Sequence, residues 1–241
     1  MWKTLSDPVL SLFYPQDCNV CHNEVRSSDD GIACSDCWEA TRIFDGSETL
    51  CDKCGAFLFS AGGMRAAAFC RRCGEHHYDR ATSTGLYERA LSASVLHLKR
   101  TPHVSRRVKR LFISAFERLC IDAPAVIVPV PLSSRRQRDR GFNQAAILGK
   151  IVANHAGIQL DTNSLVRKIH TPMHRAGMDR KARAITVKNA FEVVRPRLIE
   201  ERAIVLVDDV FTSGETASMC ARVLKSNGAA TVNVLTLARA A

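Results

Sequence analysis

Runs of apolar residues that stop abruptly at polar ones divide the second part of the chain into strands and helices. Residues 203–207 form an unbroken apolar run rich in β-branched side chains, which predicts a strand buried on both faces. The run stops at Asp208 and Asp209, and residues 212–216 then supply three hydroxyls and a glycine. Apolar residues recur at helical spacing from Ala217 until Gly228 ends the pattern. The sequence therefore predicts a strand, a short polar loop and a helix in succession.

The same succession occurs earlier in the chain. Residues 125–131 predict a second buried strand that ends in a Pro-x-Pro turn, and Gln144 begins an amphipathic helix. A linker is expected at residues 77–85, with hydroxyl residues at its end capping the helix that follows. Helical spacing also marks residues 105–119, and residues 231–237 predict a last strand. This alternation favours an α/β fold with a mostly parallel sheet, whose ligand lies beyond the carboxyl ends of the strands.

Cysteines are concentrated in the first 76 residues, where eight of the ten form four C-x-x-C pairs. Because each pair directs two thiolates at one ion, the four pairs predict two structural zinc sites with four cysteines each. We favour grouping of successive pairs, although an interleaved arrangement fits the same spacings. The successive ligand sets are Cys18, Cys21, Cys34 and Cys37 for one ion and Cys51, Cys54, Cys70 and Cys73 for the other.

Disulfide bonds and redox chemistry are the alternatives for these cysteines. The N-terminal sequence lacks the pattern of a secretory signal, and redox C-x-x-C motifs do not occur as four repeated copies. His76 and His77 follow the last pair, and we interpret them as solvated linker residues rather than replacement ligands. We expect a reducing, cytoplasmic location, no membrane span, a double zinc ribbon over residues 1–76 and a second domain over residues 77–241.

Charge divides the chain at the same place. The 241 residues carry a net charge of +10, but residues 1–76 hold 7 Lys and Arg against 11 Asp and Glu, a balance of −4. Residues 77–241 hold 27 against 13, a balance of +14. The acidic zinc-binding part is therefore expected to be a scaffold, and the basic part is expected to meet a polyanion, either a pyrophosphate or a nucleic acid.

The loop at residues 212–216 has the properties of an anion site. It opens a helix, so its free N–H groups and the helix dipole favour a phosphate, whereas Asp208 and Asp209 suit sugar hydroxyls or Mg²⁺. A phosphorylated ribose offers both chemistries. A P-loop ATPase is the first alternative, but no G-x-x-x-x-G-K-[ST] motif occurs; a purely structural turn with the acids as helix caps is the second.

This segment resembles the phosphoribosyl pyrophosphate (PRPP) motif of type I phosphoribosyltransferases. By that resemblance Asp208 and Asp209 hold the ribose hydroxyls and orient the sugar for catalysis. The residues that would wrap the 5′-phosphate are Phe211, Thr212, Ser213, Gly214 and Thr216. The resemblance also implies Mg²⁺ bound with PRPP and transfer of the phosphoribosyl group to a nitrogen acceptor.

With residues 128–144 and the cysteine pairs, the whole chain resembles the ComF family, in which a double zinc ribbon precedes a phosphoribosyltransferase-like domain. One departure is visible: the family commonly has Gln and Leu in the loop after Thr171, where this chain has His174 and the run Ala176-Gly177-Met178. The family's link to competence implies DNA uptake, competence proteins or single-stranded DNA as partners. A phosphoribosyltransferase of nucleoside metabolism and a non-catalytic PRPP- or nucleotide-sensing adaptor for single-stranded DNA both stay open.

Four basic residues are candidates for the pyrophosphate. The guanidinium group of Arg suits phosphate because it can donate two parallel hydrogen bonds, and cations near the leaving group stabilise the charge that develops there. We place Arg135 and Arg136 near the pyrophosphate, with a loop from Arg167 to Arg183 that closes over it and Lys99 as a further candidate. A surface arginine cluster that serves solubility or DNA is the alternative.

Overall fold

A computed structural model describes residues 16–58, 69–70, 73–121, 124–168 and 190–240. Its strands are β1 (Arg80–Ser83), β2 (Ala125–Pro129), β3 (Gln159–Leu160), β4 (Leu165–Arg167), β5 (Phe191–Val193), β6 (Ala203–Phe211) and β7 (Thr231–Arg239). Five of them form a parallel sheet in the order β1-β7-β6-β2-β3, and β4 and β5 form a separate antiparallel pair. The predicted α/β class with a mostly parallel sheet is confirmed.

The helices of the described residues are α1 (Ser35–Glu39), α2 (Arg89–Leu98), α3 (Arg106–Glu117), α4 (Ser134–Arg140), α5 (Gln144–Ala156) and α6 (Glu215–Ser226). Side-chain caps fix where several of them begin. The Ser105 hydroxyl accepts from Val108 N–H at the start of α3, and Ser133 accepts from the Arg136 N–H at the start of α4. Asn143 caps α5 and also donates from its amide to the carbonyl of Val130, which ties this helix to the end of β2.

Two apolar clusters cover the two faces of the sheet. Along β6, Val205 and Val207 join the cluster that contains α2, α3 and α5, whereas Ile204 and Leu206 join the one that contains α6. Successive side chains of a strand point to opposite faces, so an unbroken apolar run is what a strand covered on both sides requires. The helices on each face shield β6 from water, and its carboxyl end is left as the accessible part.

The cysteine-rich region packs directly on this body. Trp38 is 1% exposed and lies in the cluster of α2, α3 and α5, with the Arg107 guanidinium 5.0 Å from its ring centroid. Arg107 also pairs with Asp30 at 2.9 Å, and Arg106 pairs with Asp29 at 3.2 Å. Part of the negative charge of the first 76 residues is therefore neutralised by ion pairs with basic residues of the second part.

Several boundaries differ from those predicted. The linker expected at residues 77–85 contains β1, because Ser83 places its hydroxyl 2.7 Å from that of Thr236 inside the sheet instead of capping a helix. Helix α4 was not predicted, since its sequence is almost wholly polar and has no apolar face. Strand β6 extends through both acids to Phe211 because it keeps pairing with β7. Among the described residues no helix is long and apolar enough to cross a bilayer.

The close approach at Gly85 provides a test of this packing. A Cβ at Gly85 would lie 2.3 Å from the Arg42 carbonyl oxygen and 2.8 Å from Leu91 Cδ1. We expect Gly85→Ala to lower the free energy of unfolding by about 1–3 kcal/mol, measured by urea denaturation. Gly74→Ala is the control, because no heavy atom of the described residues lies within 4 Å of its added Cβ. Equal stability of the two variants would contradict the described packing of Gly85.

Candidate ligand site at the carboxyl edge of the sheet

The eight paired cysteines form two groups, and each group is made of successive pairs. Within each group the four sulfur atoms lie within 4.8 Å of one another. Closest Sγ–Sγ distances are 3.5 Å for Cys21–Cys34 and 3.4 Å for Cys54–Cys70. Four thiolates at about 2.3 Å around a tetrahedral zinc ion have edges of about 3.8 Å. Both groups therefore fit a zinc ion, and of the two arrangements that the sequence left open the structure has the successive one.

Backbone N–H groups support one sulfur in each cysteine group. Cys18 Sγ accepts from the N–H groups of Val20 and Cys34, and Cys51 Sγ accepts from that of Cys70. Burial opposes ionisation of Cys18, but these hydrogen bonds outweigh it and lower its pKa to about 6. Since the ligand form of cysteine is the thiolate, the backbone prepares these sulfurs for a cation.

The order of the strands creates a crevice at one edge of the sheet. From β2 the chain moves outward to β3, then returns to β6 on the other side of β2 and continues to β7. At such a switch point the connections leave in opposite directions, and the crevice outside the carboxyl ends of the two strands is open to a ligand. Here β2 ends at Pro129 and β6 carries Asp208 and Asp209 beside it.

The two neighbouring acids lie toward opposite faces of the sheet. Asp209 Oδ2 is 3.4 Å from Lys99 Nζ, just beyond the end of α2. Asp208 instead lies on the α6 side, where its charge acts on Cys220 and on Arg167 at the end of β4. This separation follows from the alternation of a strand, since the acids belong to β6 itself and not to a loop after it.

The environment of Asp208 favours its neutral form. Burial is the largest cause, and the negative charge of Asp209 adds to it, so together they raise the pKa of Asp208 to about 8. The N–H of Asp209 donates to Asp208 Oδ1 at 2.8 Å, which opposes the shift without reversing it. A neutral Asp208 and an Asp209 paired with Lys99 reduce the repulsion that two acids would exert on a nearby phosphate.

The loop after β6 is exposed where a ligand would touch it and buried where it is supported. Thr212, Ser213 and Thr216 are exposed. Gly214 is buried and adopts the left-handed conformation at the start of α6, with φ of +80°. Phe211 is 3% exposed, and Arg239 lies 5.0 Å from the centroid of its ring. The Phe211 side chain is therefore a support of the loop, and only its backbone is available to a ligand.

The basic candidates separate in the structure. Arg136 is half-buried and its charge acts on Arg167, whose pKa is lowered by burial and then by that neighbouring charge. Arg135 points to solvent: its side chain is 68% exposed and its Nε lies 3.7 Å from Asp139. Lys99 reaches the site through Asp209, and Arg183 lies outside the described residues. The structure thus places Lys99 beside Asp209 and Arg136 within electrostatic range of Arg167, and it directs Arg135 to solvent.

Sequence reasoning missed two contributors to this edge. It treated Arg167 only as the start of a loop. In the structure the Arg167 guanidinium lies 5.2 Å from the centroid of the Phe191 ring, and burial beside this ring places Arg167 at the crevice. It also expected His76 to be solvated, but the ring is half-buried and stacks on Tyr78 with centroids 5.1 Å apart. Neither contact involves residues close in sequence to the motif, so no local pattern indicates them.

Comparison with known proteins gives full-length relatives. A family model described as a double zinc ribbon domain matches residues 9–74. The DNA utilization protein YhgH is 34% identical over 238 residues in Salmonella typhi and 31% identical over 236 residues in Shigella flexneri, each covering 95% of this chain and 99% of the relative. Competence protein F of Haemophilus influenzae is 28% identical over 237 residues, with the same coverage.

Two solved structures are similar over part of the chain. The allosteric regulatory enzyme of purine biosynthesis matches with a TM-score of 0.38 and 21% identity, covering 54% of this chain and 25% of that one. A hypoxanthine phosphoribosyltransferase of Staphylococcus aureus matches with a TM-score of 0.35 and 11% identity, covering 55% and 61%.

The environment of Asp208 generates a pH prediction. Because the folded-state pKa of about 8 lies above the unfolded value near 3.9, the folded state holds an extra proton between these values, and the free energy of unfolding falls as pH rises through this range. Asp208→Asn removes this dependence on pH. We expect the free energy of unfolding of the variant, relative to that of the parent, to increase by on the order of 2 kcal/mol as the pH rises from 5.5 to 8.5, measured by urea denaturation.

Asp139→Asn serves as the control for this pH experiment, since the Asp139 carboxylate is 65% exposed and lies 3.7 Å from the Nε of the exposed Arg135. Its stability difference from the parent should not change with pH. If the stability difference between Asp208→Asn and the parent is equally independent of pH, or becomes smaller as pH rises, Asp208 is ionised in the folded protein.

Proposed function

The chain belongs to the ComF family, and from this premise we propose that it binds PRPP or a related phosphoribosyl ligand at the crevice between β2 and β6. One observation carries the proposal: two carboxyl groups at the end of a buried strand are followed by an exposed hydroxyl and glycine loop that opens α6. The acids suit the diol of a ribose, and the loop with the helix start suits its 5′-phosphate. Both ends of one sugar phosphate are thereby recognised.

The charges of the crevice support an anionic ligand despite the two acids. Lys99 balances Asp209, and a neutral Asp208 can donate a hydrogen bond to a ribose oxygen as well as accept one. We place Arg136 and Arg167 on the pyrophosphate side of the crevice. Forked guanidinium groups match phosphate oxygens, and they help most where negative charge increases during departure of the pyrophosphate.

A transferase reaction is the activity that we infer for this site. The bond from ribose C1 to pyrophosphate breaks and a bond from C1 to a nitrogen acceptor forms, with pyrophosphate leaving as an anion. Mg²⁺ bound with PRPP supplies charge neutralisation for that leaving group. Asp208 and Asp209 orient the sugar, and Asp209 is the carboxylate that can receive the proton of the attacking nitrogen. The acceptor is a nitrogen nucleophile, which places the reaction in nucleoside metabolism.

A role in handling single-stranded DNA is the second candidate. The relatives named for DNA utilization and competence favour it, as do the exposed arginines of α4, Arg135 and Arg138. In this function the phosphoribosyl site senses PRPP or a nucleotide while basic groups contact the phosphate backbone, and competence proteins are the expected partners. The eight thiols grouped for zinc support a reducing, cytoplasmic setting for either function.

The test of the first function is a thermal shift with Mg²⁺ and PRPP. At about 100 times the dissociation constant a ligand adds about 2.7 kcal/mol, which for a chain of this size raises Tm by about 5–10 °C. We expect Asp209→Asn to need at least about ten times more PRPP than the parent for the same thermal shift, because one hydrogen-bonded charge is lost. Asp139→Asn is the matched control and should retain it. Parent-like protection of Asp209→Asn would refute the assignment.

The DNA function is tested by fluorescence anisotropy with a labelled single-stranded oligonucleotide. Backbone binding by several cations gives an affinity that falls steeply with salt, with a slope of about −0.7 per neutralised phosphate. We expect Arg135→Ala with Arg138→Ala to reduce that slope by about one unit and leave protection by PRPP intact. An anisotropy that stays flat at low salt would exclude direct binding of DNA.

A further inference from the structure

The segment that follows the second cysteine group lies against the proposed phosphate loop. His76 stacks on Tyr78 with ring centroids 5.1 Å apart and an interplanar angle of 22°. Tyr78 in turn meets the edge of Phe211 with centroids 5.9 Å apart. Tyr78 is 1% exposed, and its hydroxyl has no hydrogen-bond partner among the described residues. These three rings form one stack between the cysteine-rich region and the loop, which we call the aromatic stack.

Gly214 is the point of the loop that the aromatic stack touches. A Cβ at Gly214 would lie 2.8 Å from Phe211 Cζ, 3.0 Å from the Tyr78 hydroxyl oxygen and 3.3 Å from His76 Nε2. Phe211 therefore approaches the glycine more closely than a side chain would allow, and Tyr78 and His76 lie so close that they would have to shift by a few tenths of an ångström. Since Gly214 has a φ of +80°, a conformation that other residues rarely adopt, the stack covers the position where the chain turns into α6.

His76 is itself held by the cysteine-rich region. Its N–H donates to the carbonyl of Cys73 at 3.2 Å, and its own carbonyl accepts from Lys53 Nζ at 2.8 Å. One residue later, the N–H of His77 donates to Ser218 Oγ at 3.0 Å on the first turn of α6. The backbone on both sides of the imidazole is thus fixed, on one side to the second cysteine group and on the other to the helix.

We propose that His76 is a positioning residue for the phosphate loop, through which the second cysteine group fixes the position of Gly214 at the start of α6, where a 5′-phosphate would bind. The inference rests on the proposed phosphoribosyl function and deepens it, because it makes the cysteine-rich region part of the binding site. His76 contacts the loop and not the ligand. Its effect is therefore confined to ligands that carry the sugar 5′-phosphate and does not extend to the pyrophosphate end of the crevice.

The experiment compares two ligands on the full-length, zinc-loaded protein by isothermal titration calorimetry in the presence of Mg²⁺. Ribose 5-phosphate reports on the loop, and inorganic pyrophosphate reports on the arginine side. We expect His76→Ala to weaken ribose 5-phosphate at least about tenfold and to change pyrophosphate less than about twofold. His76→Gln keeps an N–H donor near the position of Nε2 and should restore affinity for ribose 5-phosphate to within about threefold of the parent.

His77→Ala is the matched control, because the His77 ring is exposed and its backbone N–H remains in the variant. It should bind both ligands like the parent. Zinc content, measured as two ions per chain in every variant, shows that the cysteine groups remain intact.

Four results would overturn the proposal. Unchanged ribose 5-phosphate binding by His76→Ala would remove the positioning role alone. Equal weakening of both ligands, or failure of His76→Gln to restore binding, would show a general structural role instead. If the parent binds pyrophosphate but not ribose 5-phosphate, the phosphoribosyl function fails together with the inference, and this outcome is distinct from a variant that fails while the parent binds.

Discussion

Parallel pairing of β2 with β6 is the constraint on which the rest of the structure depends. It extends from Ala125–Ala203 to Pro129–Val207 and continues in the hydrogen bond from Val130 N–H to the Val207 carbonyl. Because the two strands end at one edge, residues almost eighty positions apart in the sequence share a crevice. Helix α4, which follows β2, and the acids of β6 are brought to the same edge of the sheet by this register. A shift by one residue would turn every side chain of β6 to the opposite face.

Electrostatic balance at this edge follows from the alternation of the strand. Two adjacent carboxylates repel each other, and the negative charge of Asp209 contributes to the raised pKa of Asp208. On opposite faces each meets a different environment: Asp209 pairs with Lys99 at the end of α2, and burial keeps Asp208 neutral beside Arg167. The crevice consequently combines two carboxyl groups with little net negative charge. An apparent conflict in the sequence, acids beside an anion loop, is resolved by the geometry of one strand.

The cysteine-rich region has a closer relation to the site than a scaffold requires. Its first group packs in the cluster beneath α2 and α3, whereas its second group shares the other cluster with Phe211 and α6. Arg239 connects the two parts again, since its guanidinium donates to the Cys54 carbonyl and lies over the Phe211 ring. A small domain with little core of its own gains its order from metal-binding thiols and from this contact. His76 and Tyr78, which follow the second cysteine group, lie against Phe211 and Gly214 in the loop before α6.

The sequence by itself determined the elements whose signals are local. The apolar run before Asp208, the hydroxyl and glycine loop after β6 and the four C-x-x-C pairs all follow from spacing within a few residues, and the alternation of strands and helices indicated the parallel sheet. Tertiary structure alone decided which cysteine pairs share an ion, that Lys99 and Arg167 join the acids whereas Arg135 faces solvent, and that His76 supports Gly214. These outcomes depend on strand order and on burial, which bring together residues distant along the chain, and no local period records such contacts.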